Sequence, residues 1–209
     1  MADPGQPAAP GQVILLNGAS SSGKTSIAIE LQEVMDRPWF HLPVDAFNSM
    51  RARRQTAALG EPALAAVLAR TRAGFHRAVA GMAWAGNDVI ADLVLSEEWR
   101  LRDCLAVLDG LDVIFVGVRC SAAELARREQ ARGDRSPGLA AGQQAQVHRP
   151  GDYDLECDTT ATSARDCALA IRDYVARGPA PRAFGRLRAH SARPATPAPA
   201  GGRPAPPPP

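Results

Sequence analysis

Short apolar runs alternating with amphipathic stretches predict an α/β fold, a mostly parallel sheet covered by helices on both faces in a single domain. Three observations carry that prediction. Runs such as DVIFVGV at 112–118 are continuously apolar, as strands buried from both sides are. Between the runs, apolar residues recur at helical spacing, as with Ile27, Leu31 and Val34. Finally, 209 residues with 45% apolar and 22% charged content suffice for one well-buried domain and not for two substantial ones.

Residues 1–11 are rich in Pro, Gly and Ala and read as a flexible lead. Gln12–Asn17 is a short apolar run that gives way to glycine and serine, a buried strand. Thr25–Met35 forms the first helix, closed before Pro38, and Trp39–Val44 a second strand with Asp45 at its exit. Glu61–Ala85 is Ala-rich and helical, although Gly74 and Gly81 each weaken a single unbroken helix. Asp88–Leu95 is a third strand interrupted by Asp92, Glu97–Leu108 a helix, and Asp112–Val118 a fourth strand. Ser121–Arg132 opens with an N-cap serine and Glu124 three residues on, the pattern of a capping box. After the turn Arg132-Gly-Asp-Arg135 come a helix over Leu139–His148, a strand over Asp154–Thr159 and a helix over Ser163–Arg177. These elements bound a domain at 12–177. Ten of the 32 residues from 178 to 209 are Pro, a composition that predicts a disordered tail.

Composition narrows the function classes. No run approaches the roughly 18 apolar residues of a membrane span, and the first dozen residues hold neither a basic start nor an apolar core, so the expected location is the cytoplasm. Cys104, Cys120, Cys157 and Cys167 show no metal-binding spacing and read as buried thiols. From 178 onward there are five Arg and no acids; the remaining 177 residues carry 19 bases against 22 acids, a net of −3. That body argues against a nucleic-acid partner, which would require clustered positive charge. A homo-oligomer is compatible with the sequence. Of the 24 basic residues, 23 are Arg; the one Lys is Lys24.

Lys24 falls in Gly18-Ala19-Ser20-Ser21-Ser22-Gly23-Lys24-Thr25, which satisfies G-x-x-x-x-G-K-[ST] at every fixed position, with a strand before it and a helix from Thr25 and Ser26 onward. Glycines let successive backbone N–H groups turn toward phosphate oxygens, and the helix N-terminus adds its dipole. Lys24 is expected to reach the β- and γ-phosphates, and Thr25 to ligate Mg²⁺. The predicted fold is therefore a three-layer P-loop NTPase arrangement that binds ATP. Several features point to a kinase acting on a small-molecule hydroxyl. The chain is short, it lacks a guanine-reading N-K-x-D motif, and Asp45 stands at a strand exit where an acceptor could be met. Asp92, an acid in an apolar strand, is a candidate on the metal side; Arg132 and Arg135 are candidate lid cations. Each also has a plainer reading: Asp45 as an N-cap, Asp92 as incidental, the two arginines as dipole-complementing surface charges. The four histidines form no ligand spacing and receive no role.

The stretches VILLNGASSSGKT, PVDAF, VIADLVL, DVIFVGVRC, ARGDRSPGLAAGQQAQVH and YDLECDTT, in that order, resemble the chloramphenicol phosphotransferase family over most of residues 12–176. The resemblance implies that Asp45 is the base for the acceptor hydroxyl, that Gly23, Lys24 and Thr25 belong to the phosphate loop, and that Arg132 and Arg135 are lid arginines. It also implies ATP and Mg²⁺ as reactants and chloramphenicol, or a related antibiotic, as the leading acceptor. Where the family's strand bears two adjacent acids, this chain has Asp92 followed by Leu93, and its segment between Asp45 and Asp88, expected to shape the acceptor pocket, is shorter and different, with an Arg-rich stretch at Arg51–Arg54. The alternatives are a kinase for a metabolite hydroxyl such as a sugar acid or nucleoside, and a nucleotide-dependent regulatory binding protein.

Overall fold

A computed structural model describes residues 9–132, 139–149, 151–178 and 180–191, omitting the side chains of 132, 139–141 and 191. The strands are β1 (Val13–Asn17), β2 (Trp39–Pro43), β3 (Asp88–Leu93), β4 (Val113–Arg119) and β5 (Leu155–Asp158). The helices are α1 (Lys24–Val34), α2 (Val44–Ser49), α3 (Arg53–Ala57), α4 (Glu61–Trp84), α5 (Glu98–Val107), α6 (Ala122–Arg132), α7 (Leu139–Val147), α8 (Ala164–Arg177) and α9 (Ala183–Ser191).

All strand pairs are parallel, in the order β2-β3-β1-β4-β5. The central β1 is buried at every residue, as its unbroken apolar run demands. Alternate residues supply the two faces. Val13, Leu15, Val89, Ala91 and Phe115 pack against Phe75 and Val79 of α4 and Cys104 of α5. Ile14, Leu16, Ile90 and Ile114 pack against Ile27 and Leu31 of α1 and Ile171 of α8. The result is a three-layer α/β sandwich. Pro43 is tolerated because β2 is an edge strand, where a missing N–H costs no ladder bond. The chain leaves β1 toward β3 and β2, but leaves β4 toward β5, so the carboxyl ends of β1 and β4 flank the switch point where such sheets bind ligands.

The elements read from the sequence are all present, with ends shifted by one or two residues. Gly74 and Gly81 do not break α4: Phe75, Val79, Ala80 and Ala83 bury one continuous face, and that packing outweighs about 1 kcal/mol per glycine. The capping box of α6 is only half formed. Ser121 Oγ accepts from the Glu124 N–H at 3.3 Å, but the Glu124 carboxylate is drawn to Arg127 and Arg128. The Ser121 N–H donates instead to Thr160 Oγ1 at 2.8 Å.

The disorder expected from 178 onward does not hold for the described part of that segment. Gly178, in the left-handed conformation, closes α8, and α9 then docks Ala183 and Phe184, each 1% exposed or less, into the core beside Phe115. Asp154 accepts the Ala183 N–H at 2.8 Å and fixes the entry to the helix. Two apolar side chains at the right place suffice to order a stretch whose average composition is poor in them. Among the described residues no helix is long and apolar enough to cross a membrane.

Candidate active site

The loop after β1 is shaped by close backbone approach. A side chain on Gly18 would put its Cβ 2.4 Å from Val118 O of β4, so only glycine brings the loop against that strand. Gly23 has φ of 93° and Ser21 φ of 60°, the latter a strained value for a residue with a side chain. Strain of this kind collects where a backbone must present its N–H groups in a tight curl. Lys24, buried, donates from Nζ to Gly18 O at 2.9 Å and Ala19 O at 2.7 Å, crossing the loop it closes. Ser21 Oγ and Ser22 Oγ are buried and make no hydrogen bond with a described residue. Orphaned hydroxyls beside an ammonium group suit an anion.

The loop is held from three sides. Gln143 of α7 accepts the Ser20 N–H at 3.1 Å. Arg128 of α6 reaches Ser21 O at 3.4 Å and Thr159 O at 2.8 Å, and Thr159 Oγ1 donates to Ser22 O at 2.8 Å. Buried Asn17, the last residue of β1, donates to Val147 O and to the Tyr153 hydroxyl and accepts the Leu95 N–H, tying the strand ends together.

Thr25 Oγ1 donates to Asp92 Oδ2 at 2.8 Å, and His41 Nε2 lies 3.2 Å from the same oxygen. Burial would raise the Asp92 carboxyl, but the hydrogen bonds from His41 and Thr25, with the Lys24 ammonium behind them, outweigh it. Asp92 is held below the ordinary carboxylate range and is ionised at neutral pH. A hydroxyl and a carboxylate oxygen facing one another are hard donors that suit Mg²⁺. Leu93, next to Asp92, is 2% exposed and belongs to the core cluster with Phe75, and it also lines the cavity that borders Asp45 and Arg72.

Asp45 lies in the first turn of α2, whose N-cap is Pro43 with no side-chain capping bond. The capping reading of Asp45 is therefore excluded. It is exposed, and it lines three adjoining spaces. A small cleft of about 50 Å³ joins it to Ser20, Lys24, Thr25 and Asp92. A cavity of about 190 Å³ joins it to Arg72, His76, Arg100 and Gln143, and a cleft of about 580 Å³ to Asn48, Arg51 and Arg53. On the far side of the loop, Gly23, Arg127, Arg128 and Thr159 border a separate space of about 410 Å³.

The structure brings Ser20, Ser21, Gly23 to Ser26, Asp92 and Asp45 to one cleft, with Gly18 and Ala19 joined to it through the Lys24 ammonium. Arg135 and the Arg132 side chain lie outside the described residues. Two neighbours went unforeseen. His41 meets Asp92 only through the pairing of the edge strand β2 with β3, for which the sequence carries no signal. Arg128 stands one helical turn before Arg132 on α6, and that i, i+4 spacing was the available hint.

The family described as chloramphenicol phosphotransferase-like protein matches residues 11–176. The chain belongs to this family. The match spans β1 to all but the last residue of α8, so the family's region includes every site group described above, while α9 lies beyond it. Among relatives, a Mycobacterium tuberculosis protein provisionally named an O-phosphotransferase is 36% identical over 199 residues, covering 85% of this chain and 88% of its own. Among solved structures, the APS kinase of Mycobacterium tuberculosis in complex with AMPPNP and APS aligns at TM-score 0.58 and 19% identity, over 80% of this chain and 98% of that one. A gluconokinase from Sinorhizobium meliloti aligns at TM-score 0.56 and 18% identity, over 88% and 99%. At such identity the structural likeness concerns the P-loop kinase fold alone.

Proposed function

We propose that the protein is an ATP-dependent kinase that transfers the γ-phosphate to a hydroxyl of a small molecule. The observation that carries this reading is the small cleft where Lys24, Thr25, Asp92 and Asp45 converge: phosphate-binding groups and a carboxylate base candidate share one space. The turned loop Gly18–Ser26 and Lys24 hold the β- and γ-phosphates, and the open side by Arg127, Arg128 and Thr159 takes the rest of the nucleotide. Thr25 and Asp92 would hold Mg²⁺, which when bound offsets phosphate charge.

Asp45 accepts the proton of the acceptor hydroxyl as its oxygen attacks the γ-phosphorus. The bond to the β,γ-bridging oxygen breaks, and ADP leaves with that electron pair. Lys24 neutralises charge on the transferring group, and Arg132 and Arg135 are the candidate lid cations. Chloramphenicol, for which the family is named, is one acceptor to assay; a metabolite hydroxyl is the other.

The test pairs two variants. Lys24→Ala should abolish turnover and weaken Mg·ATP binding. Asp45→Ala should leave nucleotide affinity within about twofold while kcat falls about 10²-fold or more. Wild-type turnover in Asp45→Ala would remove it as the base.

A further inference from the structure

The walls around Asp45 are strongly basic. Arg51 and Arg53 line the larger cleft; Arg72 and Arg100 line the cavity behind it; Asp45 and Asn48 belong to both. The acids nearby are already engaged. Asp103 is bound by His76 at 2.6 Å and by Arg77 at 3.1 Å. Glu97 pairs with Arg100 and accepts from the Trp99 indole N–H at 2.7 Å.

The arginines differ in how well they are satisfied. Arg100 is 7% exposed and its two terminal nitrogens are held by Val94 O at 2.9 Å, Ser96 Oγ at 3.0 Å and Glu97, with its buried Nε without a partner among the described residues, so it is chiefly an anchor for α5. Arg51 donates through Nη1 to Asn48 Oδ1 at 2.8 Å, while its buried Nε has no partner among the described residues. Arg72, half-buried on α4, makes no hydrogen bond or ion pair with a described residue, although it borders the cavity. Burial chiefly, and then the positive charge of Arg51, push its pKa down against the pull of Glu97. A guanidinium in that position has lost water and faces a like charge without gaining a bonded counterion. Such an arrangement is unfavourable until an anion enters.

We infer that the acceptor carries an oxyanion, a carboxylate, sulfate or phosphate, bound by Arg72 with Arg51 beside it, while its hydroxyl faces Asp45. The inference rests on the kinase reading and narrows its substrate class. Planar guanidinium groups bind planar or tetrahedral oxyanions through paired N–H donors, and a partly desolvated pair does so with high selectivity over a neutral analogue. Asp45 at the junction of the spaces makes the geometry selective in the other sense, because the oxyanion is drawn to the arginines and away from the carboxylate base. Chloramphenicol, which bears no ionised oxyanion, leaves Arg72 and Arg51 unmatched.

The test uses matched pairs of hydroxyl compounds, glycerol with glycerate and glucose with gluconate, alongside chloramphenicol, with Mg·ATP and ADP release as the signal. The acid of each pair should show kcat/KM at least about tenfold above its neutral partner, and Arg72→Gln should raise the acid's KM about 10- to 100-fold. A second arm needs no turnover: calorimetric titration of inorganic sulfate with Mg·AMPPNP saturating the phosphate loop. Sulfate should bind the wild type, bind Arg72→Gln at least about tenfold more weakly, and recover in part with Arg72→Lys. Arg51→Gln serves if Arg72→Gln does not fold. Preference for the neutral partners, or sulfate binding that is absent or indifferent to both arginines, overturns the inference while leaving the kinase reading intact. Failure to bind Mg·AMPPNP instead strikes the kinase reading, and sulfate titration of the nucleotide-free protein, compared between wild type and Arg72→Gln, still decides the anion site.

Discussion

Asp92→Asn separates chemistry from folding. The carboxylate is 3% exposed and accepts from Thr25 at 2.8 Å, with His41 Nε2 3.2 Å from the same oxygen. An amide has nearly the same shape but no charge. Two bonds to a charged acceptor, each worth about 1.5–3 kcal/mol, become neutral bonds worth about 0.5–1.5, a loss of about 2 kcal/mol. Against this, a buried carboxylate carries a desolvation cost of several kcal/mol that the amide largely avoids. Because the folded carboxyl lies below its ordinary range, the bonds and the Lys24 charge win over that cost, and after partial cancellation the variant should lose about 1–2 kcal/mol of stability. Turnover does not share in that cancellation. If Asp92 serves the metal side of the reaction, kcat should fall about 10²-fold or more, with a higher Mg²⁺ requirement.

Initial-rate ADP release across a Mg²⁺ titration, with a urea melt of the same sample, measures both quantities. The pH dependence supplies a third. Because the folded carboxyl lies below its unfolded value, its contribution is fully present above the unfolded value near about pH 4 and is lost as pH falls through the folded one. The substituted amide has nothing to titrate, so the acid limb of the variant's stability curve should be shallower. A folded Asp92→Asn protein with kcat within about threefold of wild type and an unaltered Mg²⁺ requirement would refute the reasoning.

Two further substitutions address the scaffold. Phe184→Ala, which empties a side-chain site 5.1 Å centroid to centroid from Phe115, should cost about 3–5 kcal/mol by urea denaturation, and truncation at Gly178 should cost at least as much; unchanged stability in both would mean that α9 does not close the core. Gly117→Ala would place a Cβ 2.8 Å from the Tyr153 ring, whose hydroxyl is pinned by Asn17. It should cost about 1–3 kcal/mol, and a melting temperature equal to wild type would contradict that packing.

Truncation bears on the regulatory alternative as well. Removing residues from 178 onward would test a partner-binding tail only if that segment were dispensable for folding. Because Phe184 lies in the core, lost activity after such a deletion would report damage to the domain.

The residues fixed by local pattern were legible without the fold. The loop from Gly18 to Thr25 could be read directly, because its chemistry lives in the spacing of a few consecutive residues. The strands and longer helices were legible because burial from both sides, or along one helical face, leaves periodic traces. Short helices leave little trace: α2 and α3 span 6 and 5 residues, too few turns for a period to emerge, and α9 lies in a segment whose Pro-rich composition obscured it. The sequence could offer Asp45 as base or cap, and the observed N-cap at Pro43 removed the second option. Other relations depend on strand register and helix rotation, which no local pattern encodes. His41 reaches Asp92 across 51 residues, and Arg128 reaches the Ser21 carbonyl across 107. Arg51 of the α2–α3 connection, Arg72 of α4 and Arg100 of α5 share the walls around Asp45 only because α4 packs over the sheet beside α5. The sequence by itself determined the phosphate loop and the order of the layers, since those follow from neighbouring residues; the tertiary structure decided which distant charges face one another, since that follows from packing the layers together.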